Sequence, residues 1–240
     1  AQSHHGGDLH GPGHDSRMPR GATHVGAEGK YVLLVDAGRL TGGQIMGQLH
    51  HLAESYSPAN QGLNYKSWGE KGIFDKDLTS IIAPGVLDRW ESYRGRIAEL
   101  PRTNGTYGLI HNDLHHENFH LYDNDIILFD FGGCEYSWFI YDIATSLYHS
   151  VQTVPVDQLE ERDDFALNFM ENFLEGYREV YSISKESLSH LPLFLNYRRI
   201  FSYIYLQTHL PAESIKKHQA FFDKMKKDIE EDTPYIPAFK

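Results

Sequence analysis

Cysteine is almost missing from this chain: Cys134 is the only one in 240 residues. A single thiol excludes an internal disulfide framework, and its scarcity fits a reducing cytoplasm rather than an oxidising compartment. Basic residues are also short, with 22 lysines and arginines against 33 acidic residues and a formal net charge of −11. That balance argues against a broad nucleic-acid or anionic-membrane surface. It suits a cationic small partner, and it serves equally well as an ordinary solubility feature. No apolar run approaches the length of a membrane span, and no signal-peptide core opens the chain. Internal repeats and coiled-coil heptads are lacking too. A cytoplasmic protein is expected, with enough chain for one large domain or two small ones.

Apolar residues are scarce over positions 1–29, where only Leu9 and Met18 precede Val25. Such a stretch buries too little surface to offset its ordering entropy and reads as disordered. His4, His5, His10 and His14 then belong to a flexible tail rather than a structural metal site. Lys30 to Asp36 has strand composition. A helix is expected over 41–56, capped by Thr41, with Ile45, Met46, Leu49 and Leu52 on one face. Residues 57–85 read as a loop with short turns. Helical periodicity returns over 86–100 through Leu87, Trp90, Tyr93 and Ile97, and stops before Pro101. Beyond Ile140 helices are expected near 140–151, 157–180, 184–191, 192–209 and 211–230. The last carries a dense charged side that reads as a solvated face.

The chemistry concentrates between Leu109 and Asp130. An apolar lead-in (Tyr107, Leu109, Ile110) delivers His111-Asn112-Asp113, and Asn118 stands five residues past the aspartate. Phe119 to Tyr122, a turn at Asp123-Asn124-Asp125, and Ile126 to Phe129 then lead into Asp130-Phe131-Gly132. The pattern reads as loop, strand, tight turn, strand. A hairpin of this length brings Asn118 and Asp130 to the same end. His-x-Asp with an asparagine five residues on has the spacing of a kinase catalytic loop. Phosphoryl transfer needs a carboxylate beside the acceptor hydroxyl and oxygen ligands for magnesium. Asp113 fits the first role, and Asn118 with Asp130 fits the second.

Downstream, Trp138-Phe139-Ile140-Tyr141-Asp142-Ile143-Ala144 opens a helix. Together, His111-x-Asp113-x4-Asn118, Phe129-Asp130-Phe131 and the Trp138–Ala144 segment resemble the aminoglycoside phosphotransferase (choline/ethanolamine kinase-like) family. Weaker likenesses lie at Gln44–Tyr56, at Phe194–Tyr205 and in Asp232-Thr-Pro-Tyr-Ile. The resemblance implies an α+β, protein kinase-like fold, mainly the helical C-terminal lobe with a catalytic β-hairpin. It implies Asp113 as catalytic base, Asn118 and Asp130 as ligands of Mg2+ beside ATP, and His111 and Asp142 as supports of the loop. The phosphoryl acceptor would be a small-molecule hydroxyl, lying between hairpin and C-terminal helices, with Glu135, Tyr136 and Trp138 as candidate contacts. Relatives often continue the metal strand as Asp-Phe-Asp-Asp, where this chain has Gly132-Gly133.

A kinase of this class also needs an N-terminal sheet whose glycine-rich turn and strand lysine grip ATP. Such a lobe takes roughly 60 residues or more. Only 35 residues precede Asp36. Residues 1–36 are therefore expected to form an atypical, disordered segment with one short strand, and residues 37–240 the phosphotransferase C-lobe. The competing expectation is an inactive kinase-like lobe, or pseudokinase, serving as a binding module. A zinc hydrolase using His111, His115, His116 and His120 is the third reading.

Overall fold

The structure is a computed structural model that describes residues 42–57, 64–70, 77–122 and 125–239. The expected disordered segment and strand over 1–36, the Thr41 cap and the Asp123-Asn124 turn lie outside the described residues. Helix α1 spans Gly42–Ser55 and α2 spans Pro84–Ala98. Along α1 the buried stripe is Gly42, Gly43, Ile45, Met46, Gly47 and His50. Leu52, expected on that face, is instead 63% exposed. The centre of the face is marked by glycines and a histidine, so a reading weighted toward apolar residues rotated it slightly. In α2, proline opens the first turn, where its missing N–H costs nothing. Val86, Trp90, Tyr93 and Ile97 face inward from it.

Four short strands follow, in two antiparallel pairs. Strand β1 (Tyr107–Ile110) pairs with β4 (Glu135–Trp138), setting Tyr107 opposite Trp138 and Ile110 opposite Glu135. Strand β2 (Phe119–Tyr122) pairs with β3 (Asp125–Leu128), setting Phe119 opposite Leu128. The second pair is the expected hairpin. The first was hidden, because β1 read as a lead-in and of β4 only Trp138 was placed, at the opening of a helix. A 3₁₀ turn at Phe131–Gly133 joins β3 to β4. The Phe129 amide bonds the Asn118 carbonyl at 3.2 Å, extending the hairpin by one step. The loop 111–118 and the segment 129–134 therefore leave their strands at one common edge.

Helix α3 (Phe139–Val151) is buried on nearly all sides, including its polar Asp142, Thr145, Ser146 and Ser150. Around it pack α4 (Leu159–Val180) and α6 (Leu191–His209), with α5 (Lys185–Ser189) between them in sequence. The expected helix over 211–230 divides at His218 into α7 (Ala212–Lys217) and α8 (Gln219–Glu230). Phe222, Met225 and Ile229 anchor α8, while Asp223, Lys224 and Lys227 face water. Among the described residues no helix is long and apolar enough to cross a membrane.

Candidate active site

The loop after β1 is held by one buried carboxylate. Asp142 of α3 accepts the His111 amide at 3.0 Å on Oδ2 and the Asn112 amide at 2.8 Å on Oδ1. Asn112 has a φ of 64°, a left-handed conformation that asparagine tolerates better than most side chains. His50 of α1 places Nε2 3.2 Å from Asp142 Oδ2, while its Nδ1 lies 2.7 Å from the Tyr177 hydroxyl. A carboxylate only accepts, so Nε2 is the donor in that contact. His111 is buried, with Nε2 3.3 Å from the Phe129 carbonyl and its ring 4.9 Å from that of Phe131.

Asp113 comes next and is gripped from two sides. Arg198 of α6 donates from Nη2 to Oδ1 at 3.0 Å and from Nη1 to the Asn112 carbonyl at 3.3 Å. Asn118 donates through Nδ2 to the Asp113 carbonyl at 2.8 Å and to Oδ2 at 3.2 Å. His115 Nε2 lies 3.4 Å from Oδ2. Burial alone would raise the pKa of Asp113. The His115 hydrogen bond and the Arg198 charge outweigh it and hold the carboxyl well below the usual carboxylate range.

With its amide nitrogen committed to Asp113, Asn118 turns its Oδ1 away from the aspartate. Asp130 follows directly on the hairpin end that Asn118 opens; it is exposed, with a φ of 60°. An amide oxygen and a carboxylate are hard donors of the kind magnesium takes alongside phosphates and water. The donor set therefore fits that ion. The four histidines of the zinc reading do not converge: among the described residues no three His, Cys, Asp or Glu side chains are placed to hold a metal. His120 instead stacks near Phe129, 4.5 Å between centroids.

A cavity of about 450 Å3 opens beside Asp113. His115, His149 and Arg198 line its polar end, and Tyr148, Phe201, Tyr205 and Phe221 form much of the rest. None of the three expected substrate contacts lines it. Trp138 is buried in the core, donating from Nε1 to the Pro101 carbonyl at 3.1 Å and packed edge-on against Trp68 and Tyr107. Tyr136 is committed through its backbone, whose amide bonds the Lys66 carbonyl and whose carbonyl takes the Trp68 amide. Glu135 is mostly buried, which pushes its carboxyl up to about 7, with Asp142 adding to the rise and Arg198 and Lys66 opposing it. The sequence reading missed Arg198, His149 and His50, and named His115 only as a zinc ligand. A signal existed for the first: two adjacent arginines inside an apolar helix, Tyr197-Arg198-Arg199-Ile200, need buried partners.

A strand pair and hairpin carrying this loop, mounted on a buried helical layer, define a protein kinase-like catalytic lobe. Residues 41–182 match the phosphotransferase enzyme family (APH). The chain belongs to that family. It is 30% identical over 201 residues to amicoumacin kinase of Bacillus subtilis (strain 168), an alignment covering 82% of this chain and 59% of that protein. Among solved structures, it matches amicoumacin kinase hAmiN in complex with AMP-PNP, Ca2+ and Ami. The TM-score is 0.77 at 28% identity, over 92% of this chain and 65% of that one. A microcompartment-associated aminopropanol kinase shares the fold at a TM-score of 0.58 and 20% identity, over 86% of this chain and 62% of that one. The chain thus spans about three fifths of the length of its amicoumacin kinase relative.

Proposed function

We propose that residues 37–240 form the catalytic lobe of an ATP- and magnesium-dependent phosphotransferase. It would transfer the γ-phosphoryl group to a hydroxyl of a small molecule. The observation that carries the reading is the setting of Asp113. Its carboxylate borders an open cavity, and the asparagine five residues on is locked with its amide oxygen turned away, at the mouth of the hairpin that ends in Asp130.

Asp113 receives the acceptor hydroxyl as a hydrogen-bond acceptor. Held well below the usual carboxylate range, it is a weak base. Its main contribution is therefore orientation, with proton uptake late, as the new phosphorus–oxygen bond forms. Arg198 and Asn118 fix its rotamer, so little is left to organise when the substrate arrives. Asn118 and Asp130 would hold magnesium, which when bound neutralises phosphate charge. Asp142 and His111 keep the loop in place, the former through two backbone amides. Reducing conditions suit the lone thiol, and we place the protein in the cytoplasm on that ground.

Isothermal titration of Mg-ATP into the purified chain tests this. Magnesium-dependent binding is expected, lost in Asp130→Ala and retained in Asp113→Asn. Phosphoryl transfer should fall about 100- to 10,000-fold in Asp113→Asn. No nucleotide binding at millimolar concentration, or binding indifferent to Asp130→Ala, would sink the reading in favour of a binding module.

A further inference from the structure

We infer that the cavity beside Asp113 takes an acceptor with a planar, uncharged apolar body and not a polycation. The inference rests on the phosphotransferase reading only for which hydroxyl reacts.

The walls carry the first half of the case. Tyr148 closes one side from α3, Phe201, Tyr205 and Leu206 come from α6, and Phe221 from α8. Tyr205 and Phe221 keep 41% and 48% of their surface in solvent, large aromatic area held open to water at one cavity. Covering it with an apolar ring releases that hydration, and aromatic rings favour offset or edge-on contact with a planar partner. A volume of about 450 Å3 suits a small ring system with a short polar arm.

Charge carries the second half. Among the described residues Asp113 is the only carboxylate on the wall, and Arg198 already neutralises it at 3.0 Å. His149 Nε2 lies 3.0 Å from Arg198 Nη2. A guanidinium only donates, so that nitrogen accepts and the imidazole is uncharged. Among the described residues the wall therefore offers no free anion to an ammonium group. The net charge of −11 belongs to the whole chain and is not expressed at this cavity. A polyammonium acceptor would lose hydration here without gaining a counter-ion. The faces of Phe201 and Tyr205 are no better disposed to a quaternary ammonium. Arg198 already sits over the Phe201 ring, 5.0 Å from its centroid, and His209 stacks on Tyr205 at 4.3 Å. A second cation would meet the guanidinium.

The test is calorimetric binding of three probes to the full chain at low and high salt: naphthylethanol, choline and kanamycin. Naphthylethanol should bind with little salt dependence, about tenfold more weakly in Tyr205→Ala and in Phe221→Ala. Leu159→Ala, exposed and outside the lining, should leave its affinity unchanged. Circular dichroism melts check that the cavity variants still fold, as their exposed positions lead one to expect. Tighter binding of kanamycin or choline than of naphthylethanol overturns the inference, and so does no naphthylethanol binding at millimolar concentration. Naphthylethanol binding that responds to these variants, in a chain that ignores Mg-ATP, would sustain the cavity assignment while removing the transfer reading.

Discussion

Asp113 and Glu135 lie on neighbouring pieces of backbone, yet their surroundings push their acidities in opposite directions. Burial raises both pKa values, but at Asp113 the His115 hydrogen bond and the Arg198 charge outweigh it. At Glu135 burial wins and lifts the carboxyl to about 7 from an ordinary 4.5. A raised folded value means the native state binds the proton more readily than the unfolded chain does. Stability from this group is thus complete below pH 4.5 and is lost as pH rises to about 7. Glu135→Gln keeps the shape of the protonated form without titrating. It should raise unfolding free energy by about 2 kcal/mol at alkaline pH and by almost nothing at acidic pH, measured in urea. An equal gain at both would remove the titration account. The residues proposed to bear on chemistry could be picked out by short spacing: His111, Asp113, Asn118, Asp130 and Asp142 all stand in one ordered run. Arg198 was not, because its partners lie some eighty residues away in the chain and no local pattern links them.

At the scale of elements, helices were legible and their faces less so. Periodicity placed most of the helices within a few residues, since a buried stripe recurs every third or fourth position. It missed that α1 meets α4 through glycine. A Cβ at Gly43 would lie 2.0 Å from the Phe173 carbonyl oxygen and 2.9 Å from the Tyr177 amide nitrogen, both backbone atoms that cannot swing aside. Gly43→Ala must therefore push the helices apart, at a cost of about 3 kcal/mol in urea unfolding. His50 on the same helix reaches Asp142, so the displacement should also loosen the loop at His111 and Asn112 and speed their amide exchange. Gly95, in α2, has nothing within 4 Å of an added Cβ, and Gly95→Ala should stabilise by about 0.5–1 kcal/mol. Equal effects of the two substitutions would refute the close-packing account. The β1–β4 pair escaped sequence reading for a related reason. Its strands are four residues each, lie 24 residues apart and have no turn signal joining them.

Across the whole molecule, the catalytic loop is where distant helices meet. Helix α1 reaches it through His50 and Asp142, α3 through Asp142 and through Ser146, which bonds the Leu114 carbonyl at 2.7 Å, and α6 through Arg198. His149 completes the set by accepting from Arg198 while facing Asp113 at 3.7 Å, with the His115 ring 4.8 Å away. Its pKa is held well below the ordinary 6.5, first by burial and then by the charges of Arg198, His115 and His116, with Asp113 opposing. A depressed folded value means the unfolded chain takes up the proton first. The contribution is therefore whole above pH 6.5 and declines as pH falls below it. Protonation would also turn Nε2 from acceptor to donor and set it against the guanidinium that positions Asp113. His149→Gln offers Arg198 a carbonyl oxygen that cannot titrate in this range. Relative to the parent chain, the variant should lose less unfolding free energy between pH 7.5 and pH 5. Subtracting the two urea series cancels groups such as Glu135 that both proteins share. A constant difference across that range would mean that His149 does not titrate with folding, and that Arg198 is held by geometry alone.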